Sequence, residues 1–143
     1  RFKITGRVNS FINSFGEEVI VENSDLAISR ASKKTNSQIK EYTVAPVFMK
    51  GSEKGAHEWA VEFTEEPNEM EQFAVILDAE LRAINSDYDA KRSHNMVLGM
   101  PVLNSVKKGT FDNWLQSKGK LGGQNKIPRL SNDRELLEQI LQL

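Results

Sequence analysis

IKEYTVAPVFMKGSEKGAHEWAVEFTE, residues 39–65, holds two strand signals around one turn. A run rich in branched and aromatic residues extends from about Ile39 to Met49, and Pro46 limits its ladder because proline has no backbone N–H to give. HEWAVEFTE then alternates, putting Trp59, Val61 and Phe63 on one side of a second strand. The two are expected to pair as a hairpin across KGSEKGA. A helix follows from Pro67 to about Asn85, opened by the proline, with Met70, Phe73, Ala74, Leu77, Leu81 and Ile84 recurring at helical spacing.

Working outward, GEEVIVENSDLAISRASKKTN begins extended and turns helical, with Asn23 or Ser24 as N-cap and Leu26, Ala27 and Ala31 on one face. Before it, FKITGRV and FINSF look like two short strands meeting at a polar turn around Asn9 and Ser10. Downstream, MPVLNSV is a further strand, and GTFDNWLQSKG is a short helix capped by Thr110 and stopped by Gly119. NDRELLEQILQL is a last helix with Leu136, Leu137, Ile140 and Leu141 inward. The expected fold class is α+β: a small mixed or antiparallel sheet packed with about four helices, in one domain spanning residues 1–143.

Composition sets limits on function. A chain of 143 residues can bury about 70% of the surface its unfolded form exposes, enough for one ordinary core. The net charge of -1 gives no global pull toward nucleic acid or anionic membrane. The absence of cysteine excludes disulfides, thiolate metal sites and a cysteine nucleophile, and fits a reducing compartment, so the cytoplasm is the default expectation. No apolar run approaches the roughly 20 residues of a membrane span. RFKITGRV opens without a methionine and reads as a strand entered in mid-stream, so the chain is expected to be a piece of a longer polypeptide.

Familiar catalytic constellations fail. His57 and His94 are the only histidines and lack the company that a metal site needs. The acids of EFTEEPNEMEQ suit a solvated helix start, where carboxylates favour the positive end of the dipole. Trp59, Trp114 and Phe111 are most simply core anchors. GKLGGQNKIPRL, residues 119–130, stands out: it crowds lysines and Arg129 among glycines, amides and one proline. It is no P-loop, since G-x-x-x-x-G-K-[ST] is missing. Glycines at 119, 122 and 123 give freedom while Ile127-Pro128 stiffens the segment after Lys126, which describes a mobile loop with a fixed root. A lysine near such a tip is a point charge on a long stem, able to reach a phosphate or carboxylate in another domain. A solvated basic loop without any such task satisfies the same residues.

ITGRVNSFINSFGEEVIVEN (4–23), SDYDAKR (86–92) and GTFDNWLQSKGKLGGQNKIPRLSND (109–133) together resemble the C-terminal domain of the Gretchen Hagen auxin-responsive family. These are acyl acid amido synthetases of the adenylate-forming superfamily, and the resemblance covers essentially the whole chain. GRVNSFINSFGEEV is similar to the superfamily's hinge motif, which maps Gly6, Arg7 and Gly16 onto it, with Asn9 where an aspartate or lysine is usual. QNKIPRL resembles the last core motif, whose lysine is Lys126 here.

What the resemblance implies is a domain that alternates between two half-reactions. Lys126 would assist attack of a carboxylate on ATP. Rotation near Arg7 and Asn9 would then withdraw it and turn the Gly16 hairpin toward the acyl-adenylate for attack by an amine. Gly122, Gly123, Gln124 and Arg129 would support the lysine loop. The implied cofactors are ATP and Mg²⁺, bound mainly by an N-terminal domain absent from this chain. The implied partners are that domain, a carboxylic acid and an amine acceptor of the amino-acid kind, with no nucleic acid and no membrane. Two other readings compete. One is a non-catalytic α+β partner-binding or regulatory module. The other is a nucleic-acid surface using Lys107, Lys108, Lys118, Lys120, Lys126 and Arg129, diluted by Asp112, Asp133 and Glu135.

Overall fold

A computed structural model describes residues 11–15, 17–48, 54–93, 98–117 and 127–142. The elements are β1 (Phe11–Ile12), β2 (Val19–Ile20), α1 (Val21–Lys34), β3 (Gln38–Phe48), β4 (Gly55–Glu65), α2 (Met70–Ile84), α3 (Ser86–Arg92), β5 (Val102–Val106), α4 (Thr110–Ser117) and α5 (Glu135–Leu141). β1 and β2 pair antiparallel by themselves; the main sheet has the order β3-β4-β5. The expected hairpin is there, antiparallel, with Tyr42 opposite Val61 and Val44 opposite Trp59. β5 lies parallel to β4, from Glu58 beside Val102 to Glu62 beside Val106. A parallel neighbour requires a crossover, and α2 and α3 form it.

The class is α+β, with a mixed sheet. Helices cover both of its faces. Trp59, Val61 and Phe63 of β4 and Tyr42 and Val44 of β3 point into a larger core with Ala27, Ile28, Phe73, Leu77, Leu81 and Tyr88. Ala45 and Ala60 point the other way, into a smaller core with Phe111, Ile127, Leu137 and Ile140. Alternation in HEWAVEFTE therefore separates two buried sides, not one wet and one dry: Ala60 and Glu62 are as buried as their neighbours.

Several expectations are corrected. Among the described residues there are five helices, because SDYDAKR folds as a separate helix. Asn85 ends α2 and its side chain accepts from the Tyr88 N–H at 2.8 Å, so one residue closes one helix and caps the next. α1 starts at Val21, ahead of the expected caps: Asn23 instead accepts from the Ile20 N–H at 3.0 Å, and Ser24 lies within the helix. Its inward stripe is Ser24, Ala27, Ile28 and Ala31, while Leu26 stays 42% exposed. α2 begins at Met70, three residues beyond Pro67. Thr110 is the first residue of α4 and not its cap. That cap is Glu62, whose carboxylate accepts from the Gly109 N–H at 2.8 Å and the Phe111 N–H at 3.2 Å. Glu62 thus departs from the solvated reading of its acidic stretch: it is 1% exposed. The other acids named with it, Glu65, Glu66, Glu69 and Glu71, are exposed. FKITGRV and the stop at Gly119 lie outside the described residues.

Candidate functional site

The residues after Lys126 are bolted to the outer edge of β3. Ile127 and Leu130 are buried, the Thr43 hydroxyl donates to the Pro128 carbonyl at 2.8 Å, and the Val44 N–H donates to the Arg129 carbonyl at 2.7 Å. The Ser131 N–H returns a bond to the Val44 carbonyl at 3.1 Å, making Leu130 a parallel bridge partner of Val44. Two residues along β3 the ladder stops, because Pro46 has no N–H; its carbonyl accepts from the Arg134 guanidinium at 3.1 Å instead.

Arg129, the one expected site residue within the described set, turns toward α1. Its Nε donates to Glu41 at 2.9 Å, its Nη1 to Asp25 at 3.1 Å, and its guanidinium carbon lies 5.3 Å from the centre of the Tyr42 ring. Tyr42 donates to Asp25, and its oxygen lies 2.7 Å from the Ser24 hydroxyl. Burial first, and the bond to Asp25 second, push the Tyr42 phenol well above its ordinary value. Asp25, Glu41, Tyr42 and Arg129 line a cleft of about 270 Å³. On the other side of the root a cleft of about 340 Å³ is lined by Trp114, Pro128, Ser131, Leu136 and Gln139 among others. There the Trp114 indole donates to Gln139 at 2.8 Å.

The turn between β1 and β2 meets the same edge. The Asn132 side-chain oxygen, two residues past Leu130, accepts from the Asn13 N–H at 3.0 Å and from the Ser14 hydroxyl at 2.9 Å. Glu17 Oε1 accepts from the Phe15 N–H at 2.8 Å, and its Oε2 lies 2.6 Å from His57 Nε2. Glu17 and His57 are both buried. The Phe15 ring rests 5.0 Å from that of Phe48 and so close to Gly55 that a Cβ there would stand 2.2 Å from it. The stretches that carry the two sequence motifs, more than a hundred residues apart in the chain, are thus joined at one sheet edge.

Lys126, Gly122, Gly123, Gln124, Arg7, Asn9 and Gly16 lie outside the described residues, as do His94, Gly6 and Asn125. Trp59 and Phe111 are core residues, and Trp114 packs against the smaller core. Among the described residues no group of three or more His, Cys, Asp or Glu could hold a metal ion. Of the basic set, Lys107 and Lys108 are exposed, whereas Arg129 is already paired with two carboxylates. Sequence reasoning missed Glu17 and Asn132. Glu17 had a signal: it shares the period-two side of Val19, and both are buried while Glu18 and Ile20 are exposed. Asn132 had none.

Solved structures that share this fold include "GH3.15 acyl acid amido synthetase" and "AtGH3.15 acyl acid amido synthetase in complex with 2,4-DB". Each superposes with a TM-score of 0.72, at 21% and 20% identity, covering 93% of this chain and 25% of the solved one. The chain thus spans a quarter of the length of those proteins. No curated protein matches the sequence. Residues 22–135 match the GH3 family C-terminal domain, and the chain belongs to that family.

Proposed function

We propose that residues 1–143 are the mobile C-terminal domain of an ATP-dependent acyl acid amido synthetase whose N-terminal domain holds most of the ATP and acyl-acid pocket. The observation that carries this reading is the match of residues 22–135 to the GH3 C-terminal domain. The likeness in fold to two amido synthetase structures supports it. In the first half-reaction a carboxylate oxygen attacks the α-phosphorus of ATP and pyrophosphate leaves. Both reactants are anionic, and Lys126 sets its charge between them. In the second, an amine attacks the acyl carbon, loses a proton, and AMP departs as the amide forms.

Between the two steps the domain turns about the segment of Arg7 and Asn9, withdrawing Lys126 and bringing the Gly16 hairpin toward the adenylate. The rooted segment suits this task. A lysine one residue before an anchored Ile127 travels with the whole domain, and Gly122, Gly123, Gln124 and Arg129 set how the loop leaves the anchor. Mg²⁺ accompanies ATP in the N-terminal domain. The partners are that domain, a carboxylic acid and an amino-acid amine; nucleic acid and membrane have no part, and the compartment is the cytoplasm. No helix among the described residues is long and apolar enough to cross a membrane.

The test uses the full-length enzyme. Lys126→Ala is expected to slow pyrophosphate release by roughly 100- to 1000-fold, about 2.7 to 4 kcal/mol, as for loss of one preorganised charge-stabilising donor. Amide formation from supplied acyl-adenylate should persist. Equal damage to both steps in a folded variant would overturn the alternation and reduce the loop to a structural element, whereas no effect on either step would favour a non-catalytic, partner-binding module.

A further inference from the structure

Glu17 is fully buried, and its neighbour His57 nearly so. A buried carboxylate beside a histidine is a poor source of stability, because removing both from water costs about what their contact returns. What the pair does achieve is geometric. One carboxylate oxygen grips the Phe15 N–H while the other is gripped by a histidine in the middle of the main sheet. From outside, Asn132 holds the preceding two residues of the same turn, and Asn132 follows directly on the segment bolted to Val44. Three consecutive residues, Asn13, Ser14 and Phe15, thus each donate to a side-chain oxygen. One oxygen belongs to a side chain held by His57 of the sheet, the other to the residue that follows Ser131, whose backbone bonds Val44.

Resting on the function proposed above, we infer that Asn132 and Glu17 are positioning residues for the amide-forming half-reaction, holding the turn beside Gly16 in register with the root of the lysine loop. Neither touches the reacting atoms. A turn free to shift by an ångström would misplace the surface offered to the adenylate, while Lys126, next in sequence to the separately anchored Ile127, would still act. The clasp therefore discriminates between half-reactions, which a purely structural bond would not do.

The experiment uses the full-length enzyme with Asn132→Ala, Asn132→Asp, Glu17→Ala and, as a reference, Gly16→Leu. Pyrophosphate release and amide formation from synthetic acyl-adenylate are measured separately on each. Asn132→Ala is expected to slow amide formation about tenfold relative to pyrophosphate release, the scale of one lost hydrogen bond expressed in a rate. Asn132→Asp, which keeps the accepting oxygen, should recover most of it. Glu17→Ala should give the same split if it folds; Asn132, being exposed, gives the answer even if it does not. If Gly16→Leu splits the two steps and Asn132→Ala does not, the clasp is overturned and the domain-alternation reading stands. If Gly16→Leu fails to split them, that reading falls and the clasp with it. Failure of Asn132→Asp to restore what Asn132→Ala loses would also overturn the inference, since the accepting oxygen would then not be the cause.

Discussion

The two faces of the sheet are covered by different means. On the α1 and α2 side, aromatic and branched side chains fill the space: Trp59 stacks 5.3 Å from Tyr42, and Phe63 meets Phe73 edge-on at 5.4 Å. On the α4 and α5 side, the strands present Ala45 and Ala60, and polar ties at the helix ends do much of the holding. Glu62 caps α4 from beneath, Lys40 reaches Asp112 at 2.7 Å, and Arg134 spans from Pro46 to Glu58. The β1–β2 hairpin belongs to the first face through Ile12 and Val19; the root of the lysine loop straddles both, with Leu130 in the larger core and Ile127 in the smaller. Apolar bulk gives one motif a stiff bed. The other is shared between that bed, through Leu130, and a thinner core whose order depends on a few hydrogen bonds.

The largest expected effect tests that contrast directly. Phe73→Ala should cost about 3–5 kcal/mol, because a fully buried ring leaves a cavity between α2 and the sheet. Leu137→Ala on the thin face should fall near 2 kcal/mol, the lower end for such truncations, since the open cleft beside Leu136 lets α5 settle inward. Urea unfolding of both variants measures the difference, and equal costs would erase the distinction between the faces.

Next in size is Glu62→Ala. It strands the Gly109 and Phe111 N–H groups under α4 and should cost about 2 kcal/mol. Amide hydrogen exchange should accelerate in α4 while β3 and β4 keep their protection. Loss of protection across the whole sheet would mean that the thin face is not a separate unit.

The smallest effect appears only in alkali. Tyr42 and Tyr88 are the only tyrosines, and both lie in the thick core. Burial raises both phenols above their ordinary value near 10, with Asp25 adding to it at Tyr42 and Asp78 at Tyr88. A raised folded-state value means stability that is fully present below about pH 10 and is lost as the pH climbs beyond it. Tyrosinate absorbance should therefore stay absent until the chain unfolds, then appear for both residues in one step. A phenol that ionises in the folded state near its ordinary value would reveal a wetter core.

The parts of the fold that were legible are those where one local signal decides. The 39–65 hairpin and the apolar spacing of α2 need no distant partner to be recognised, and the structure keeps both. The parts that were not legible depend on contacts across the chain. α3 separates from α2 because Asn85 turns to cap Tyr88 and to donate to the Glu18 carbonyl at 3.1 Å, a partner 67 residues away. Leu26 looks like a core residue by type, but Ser24 takes the inward position because Tyr42 offers it a hydrogen bond. Of the site, the fixed root could be read from Ile127 and Pro128. The clasp could not: an asparagine 119 residues from its partner carries no periodicity, cap or motif.

The bridge from Val44 to Leu130 also has a kinetic side. The β3–β4 hairpin closes a short loop and can form early, whereas the Thr43–Pro128 bond joins residues 85 apart and must wait for the hairpin, the crossover and β5. The α4–α5 face is therefore expected to assemble late, after the rate-limiting barrier. Damage to it should then appear as faster unfolding with nearly unchanged refolding, the lysine loop's footing loosening first.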